Sequence, residues 1–196
     1  MSEIKTLTKK KSAMNELIKR LSSAPLPKLN PDEQRKPVFW LHYEAVKGRY
    51  PLDDETAVYF VNGSGFVLDR VCRTPIPKFS SLTEFEPQAP HPNFDHTEVR
   101  PGEAVVIDAH DYFYDKDAYL CADVTLRHEK IGTLRIIGET RKGTISEGVL
   151  LWDTGEPGTP KIKVLHLDPN DDDTKKEQAW ADHLRYNPFL GREEDE

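Results

Sequence analysis

The chain has 196 residues, 37% of them hydrophobic and 31% charged, with a net charge of −7. That suits one domain with tails, part of which stays outside the packed core. An acidic body argues against non-specific nucleic-acid binding, which depends on neutralising phosphates. No apolar run approaches the roughly 20 residues that span a bilayer. The start, Met-Ser-Glu-Ile-Lys-Thr-Leu-Thr-Lys-Lys-Lys, lacks the apolar stretch of a secretory signal. The expectation is a cytoplasmic protein with neither nucleic acid nor membrane as partner.

Charge is uneven along the chain. Residues 1–36 hold nine Lys and Arg against four acids, and residues 168–196 hold ten acids against four bases. Three regions follow: a basic N-terminal arm over 1–37 with a short helix and a Pro-rich linker, a β-rich domain over 38–167, and an acidic tail over 168–196 with a second short helix.

In chain order, Met14, Leu17, Ile18 and Leu21 fall on one helical face, with Ser12 as N-cap. A helix over 12–21 is predicted, ended by Pro25 and Pro27. Val38 to Ala45 is apolar enough for a strand or a short helix, with Trp40 and Tyr43 as its anchors. Ala57–Val61 and Phe66–Arg73 flank Asn62-Gly-Ser-Gly65, residues that accept the positive φ of a tight turn, which predicts a hairpin. Residues 74–101 carry six prolines and read as a long loop pinned by Phe79, Leu82, Phe85 and Phe94.

The second half is more regular. Ala104–Asp108 is a strand. Ala118–Arg127 is another, with Leu120, Ala122, Val124 and Leu126 on the buried face. Thr133–Ile137, Thr144–Trp152 and Lys161–Leu167 follow, separated by glycine-bearing turns. Cys72 and Cys121 fall inside strands, as reduced thiols or as one disulfide between paired strands. In the tail, Thr174 and Glu177 fit a capping box, with Trp180 and Leu184 one turn apart. The fold class is mainly β: an antiparallel β-sandwich or partly open barrel with short helices at the N- and C-terminal ends.

Three motifs fail on their chemistry. Gly138 and Gly143 have phosphate-loop spacing, but no Lys follows the second glycine and a strand replaces the helix, so a hairpin turn is expected there. Asp168, Asn170 and Asp172 begin like an EF-hand loop, yet Asp173 stands where Gly is needed and Ala179 where Glu is needed. Ser64 lies in a Gly-Ser-Gly turn without the nucleophile-elbow setting.

The segment that carries something extra is Asp108-Ala-His-Asp-Tyr-Phe-Tyr-Asp-Lys-Asp117. Its Asp111, Tyr112, Tyr114, Asp115 and Asp117 combine aromatic contact area with acids that steer a basic partner. They make the leading expectation a non-enzymatic protein-binding module of inhibitor, immunity or adaptor type, with another protein as partner and no cofactor. A second reading uses His91, His96, Asp108 and His110, with Asp111 nearby, as divalent-metal ligands. It gives a metal-assisted hydrolase or a small-ligand-binding β-barrel. A third makes the chain a structural subunit of a larger assembly, homo-oligomers included, its end helices docking on neighbours.

Overall fold

A computed structural model describes residues 18–46, 55–74, 94–111 and 115–167. Chain contacts divide the protein into two units, Met1–His166 and Leu167–Glu196, and nearly all described residues belong to the first. The strands are β1 (Arg20–Leu21), β2 (Pro37–Val46), β3 (Glu55–Asn62), β4 (Leu68–Arg73), β5 (Asp95–Val99), β6 (Ala104–Asp111), β7 (Tyr119–Leu120), β8 (Asp123–His128), β9 (Gly132–Ile137), β10 (Arg141–Lys142), β11 (Gly148–Trp152) and β12 (Lys163–Leu167). Among the described residues two open five-stranded sheets form, ordered β1-β6-β3-β2-β11 and β12-β9-β8-β4-β5, and β7 and β10 make a separate ribbon. The protein is thus mainly β, a sandwich of antiparallel sheets that do not close into a barrel.

The core between the sheets is built by period-2 alternation. Phe39, Leu41, Val58, Phe60, Val105 and Ile107 of the first sheet meet Leu68, Val71, Val99, Val124, Leu126, Leu134 and Ile136 of the second. In β3 the intervening residues are buried as well. Ala57, Tyr59 and Val61 join Trp40, Ala104 and Val106 in a second cluster on the opposite face of the first sheet, packed with Phe94, Leu21 and Ala24. The strand therefore reads as a continuous apolar run, as expected when both faces are covered.

The segment 57–73 departs from the predicted hairpin. β3 pairs with β2 and β6, whereas β4 pairs with β5 and β8, so Asn62–Gly65 is an arch between sheets. Turn chemistry identifies a reversal but not which sheet the second strand joins. Asn62 holds the arch. Its Nδ2 donates to the carbonyls of Phe66 and Val99, each at 2.9 Å. Its Oδ1 accepts from Ser64 N at 3.1 Å and Ser64 Oγ at 2.6 Å. Fully buried, it satisfies both ends of its amide.

Other expectations shift in the same way. The Gly138–Gly143 turn is no hairpin either, because β9 stays in the second sheet and β10 pairs with β7. Arg20 and Leu21, expected in a helix, form a strand against Val105 and Ala104. Ile18 and Lys19, expected in the same helix, carry no regular structure, and residues 12–17 and the C-terminal helix lie outside the described residues. Residues 144–147 are not strand, since β11 begins at Gly148. Cys121 falls between β7 and β8, and both cysteines are free thiols. Val38–Ala45 is resolved as strand β2, with Trp40 buried and its indole Nε1 donating to the Pro25 carbonyl at 3.0 Å. Among the described residues no helix is long and apolar enough to cross a membrane.

Candidate functional site

Strand β6 carries three of the sequence-predicted residues. Opposite Val58, Asp108 takes the side of the sheet that faces the sandwich interior, and His110 follows on that side opposite Thr56. Asp111 ends the strand opposite Glu55. Asp108 is a strut between the sheets: its Oδ2 takes Arg73 Nη2 from the end of β4 at 2.8 Å, and its Oδ1 accepts from Ala109 N at 2.8 Å. The Arg73 guanidinium also lies 5.9 Å from the Phe94 ring centre. His110 is buried, with its ring edge-on to Tyr43 at 6.1 Å.

His96 does something else. On β5 it is buried, and its Nε2 donates to the Val106 carbonyl at 2.6 Å. A carbonyl can only accept, so Nε2 carries the proton. The contact ties an edge strand of the second sheet to β6 of the first. Burial pushes the His96 pKa down; the Val106 bond opposes this, and the charge of Arg20 adds to it. Asp95, its neighbour, is held low by a bidentate pair with Arg70 at 2.8 and 2.6 Å. His91 lies outside the described residues. Among those described, no three His, Cys, Asp or Glu side chains gather where an ion could be held. Among the described contacts, His96 bonds the Val106 carbonyl, Asp108 pairs with Arg73, and His110 packs edge-on to Tyr43.

Of the acidic-aromatic insert 108–117, Asp108–Asp111 end β6 and residues 115–117 are described, while Tyr112, Phe113 and Tyr114 lie outside the described residues. Residues 115–118 form a turn closed by Ala118 N donating to the Asp115 carbonyl at 2.8 Å. β7 then pairs Tyr119 with Lys142 and Leu120 with Arg141. Gly143 N donates to the Ala118 carbonyl at 2.8 Å, and Gly143 takes a positive φ of 72°. A side chain there would meet the Lys116 backbone at 3.1 Å, so glycine lets the turn seat on 141–143. Asp117 pairs with Lys142 at 3.0 Å, and that bond lowers the pKa of its carboxyl. Tyr119 stands 67% exposed on this ribbon.

The sequence reading did not foresee the partners that hold this turn. Arg141, Lys142 and Gly143 lie more than 20 residues downstream, and only the positive-φ preference of Gly143 hinted at a special role. It also missed the pair Asp123–Arg135. Arg135 Nε and Nη2 reach the two Asp123 oxygens at 2.9 and 2.8 Å, with Asp123 fully buried. Asp123 alternates with Ala122, Val124 and Leu126, which predicts the wetter face of its strand rather than this burial. Beside it, burial pushes the Cys121 thiol up to about 11, with the Asp123 charge adding to the shift. Burial raises Cys72 as well, so neither thiol is a ready thiolate at neutral pH.

Comparison with known protein families, characterised proteins and solved structures finds no match to this chain.

Proposed function

We propose that this chain is a non-enzymatic protein-binding module of the inhibitor, immunity or adaptor kind, engaging a basic partner through Asp111, Tyr112, Tyr114, Asp115 and Asp117 of the 108–117 insert, with Tyr119 just after it. The observation that carries the reading is Tyr119, a large aromatic left 67% exposed on β7, beside a turn that β10 and Gly143 hold in place. A tyrosine in a fixed position supplies contact area at low entropy cost, and holding it in advance lowers the cost of association. Asp115 and Asp117 on the same turn, with Asp111 at the end of β6, add acids that speed encounter with a basic surface. The free thiols Cys72 and Cys121 fit a reducing, cytoplasmic setting.

A photo-crosslinking residue, p-benzoylphenylalanine, placed at position 119 tests this in host lysate. A discrete adduct is expected, weakened when Asp115 and Asp117 are changed to Lys. The same residue at Val67, exposed on the arch, is the control. Identical adducts from both positions, or adducts indifferent to charge reversal, would refute the reading.

A further inference from the structure

We propose that Asn62-Gly63 is a self-modification site gated by the fold. It converts to a succinimide, and then to aspartate or isoaspartate, only when the arch between the sheets opens, and the converted chain does not return to the native fold. The proposal is independent of the protein-binding reading above. Glycine after asparagine puts no side chain in the way of the attacking backbone nitrogen. Position 62 is the one place in the 196 residues where Asn precedes Gly. In the first step Gly63 N bonds to Cγ of Asn62 and the Cγ–Nδ2 bond breaks. Nδ2 leaves as ammonia, taking the proton of Gly63 N. Water then opens the ring at either of its carbonyls, giving aspartate or isoaspartate.

The fold holds every reacting atom apart. The attacking nitrogen, Gly63 N, donates to the Val38 carbonyl at 2.8 Å. The leaving nitrogen, Asn62 Nδ2, is bound twice, to the carbonyls of Phe66 and Val99 at 2.9 Å each. Oδ1 accepts from both Ser64 N and Ser64 Oγ. The Asn62 backbone is fixed as well: its N donates to the Glu103 carbonyl at 2.9 Å, and its carbonyl accepts from Gly102 N at 2.6 Å. Asn62 is also fully buried, away from the bulk water that the second step consumes.

Neither half of the labile pair is dispensable. The arch needs an amide at 62 because two carbonyls wait for its two donors. It needs glycine at 63 because a β-carbon there would overlap Trp40. The product breaks the first requirement. Ionised, an aspartate oxygen in place of Nδ2 faces two carbonyl oxygens; protonated, it offers one donor to two acceptors. Burying a group left unpaired in this way is strongly disfavoured. Isoaspartate adds a methylene to the main chain, which moves the arch against its anchors at Val38 and Gly102.

The test follows position 62 by peptide mapping with mass spectrometry in mildly alkaline buffer. The full chain is incubated folded, and unfolded in urea, beside the free peptide Val-Asn-Gly-Ser-Gly. Conversion in urea should match the peptide. Conversion in the folded chain should be slower by about a hundredfold or more, reflecting the small fraction of time that the arch is open. Equal conversion in the folded and unfolded chain overturns the gating. Chains converted in urea are then separated from unconverted ones by ion exchange and diluted out of denaturant. Unconverted chains should recover the native denaturation midpoint and converted chains should not; recovery by both overturns the one-way step. Asn62→Asp, which carries the product from synthesis onward, gives a second reading that needs no refolding. Loss of its cooperative unfolding supports the proposal, and a folded variant with an unaltered midpoint overturns it.

Discussion

The two faces of the first sheet are both apolar, yet they are covered in different ways. The inner face meets a second sheet, so each side chain is surrounded by residues brought from many points along the chain. The outer face is covered by the extended segment around Leu21 and Ala24 and by Phe94. That cover is held by a few specific bonds: Tyr59 Oη donates to the Ile18 carbonyl at 2.8 Å, Trp40 Nε1 donates to Pro25, and Val106 N donates to the Lys19 carbonyl at 3.1 Å. Arg20 adds an anchor from β1, reaching the carbonyls of Glu98 and Thr97 and the carboxylate of Glu103. An inner core sealed by a sheet should open only with global unfolding. A cover held by point contacts can open locally at lower free energy.

The largest effect expected from this difference is on the inner face. Phe60 is fully buried and tilts against Phe39 with ring centres 5.3 Å apart. Phe60→Ala should cost roughly 3–5 kcal/mol of global stability, the usual range for emptying a buried aromatic site. Chemical denaturation should show a lower midpoint in one cooperative step. A loss confined to faster hydrogen exchange in residues 18–25 would mean that the two faces are not energetically distinct.

A smaller and more local effect is expected at Gly63. A β-carbon there would overlap Trp40 Cζ3 and stand 3.1 Å from the Pro37 carbonyl. Gly63→Ala must displace the Trp40 ring, an overpacking change costing about 1–3 kcal/mol. Because Trp40 belongs to the outer cluster and bonds Pro25, hydrogen exchange around residues 19–25 should quicken more than exchange in β8 and β9. Uniform acceleration across both sheets would break the comparison, since it would make the outer cover part of the same cooperative unit.

The inner face was legible in the sequence and the outer one was not. On the second sheet, which closes that inner face, Val124 and Leu126 of β8 announced their buried side by alternation, because a strand fixes every second residue on one face. Asn62-Gly63 announced a reversal for the same local reason. Sheet membership is non-local: whether β4 lies beside β3 or across from it depends on β5, β6 and β8 competing for the same edges, and turn residues carry none of that. Burial of the outer face was hidden because its cover, 18–25, is short, Pro-ended and almost free of regular structure. The His and Asp residues of β5 and β6 could be placed on faces, but their convergence depends on how two sheets abut. Among the described residues, Asp108 pairs with Arg73, His96 bonds Val106 and His110 packs on Tyr43. In the insert, a turn rich in acids and aromatics was readable, whereas its clamp at 141–143 came from a separate stretch of chain.

The smallest expected effect tests how the outer cover depends on the junction between β5 and β6. His96 is buried as a neutral donor to Val106, with its pKa lowered below the ordinary value near 6.5, first by burial. Arg20 and Lys19 on the N-terminal side disfavour its charged form, and Asp95 beside it favours that form. In the unfolded chain the imidazole gains its proton near pH 6.5. Between that value and the lower folded pKa, the unfolded state therefore binds more protons. Stability rises with pH across this window and is lost as pH falls through it, with a slope of at most about 1.4 kcal/mol per pH unit for one proton. Asp95 and Glu139, whose pKa values are lowered, contribute stability present above their ordinary range and lost only below about pH 4, so they do not overlap the window. His96→Gln retains an amide donor to Val106 without the titration. Denaturation midpoints measured from pH 7 to pH 5 should fall more steeply for the unaltered protein than for the variant. Hydrogen exchange over 18–25 should respond to acid before exchange in β8 does. Parallel slopes in the two proteins would remove His96 from the junction and leave the outer cover resting on the bonds of Arg20, Tyr59, Trp40 and Val106 N.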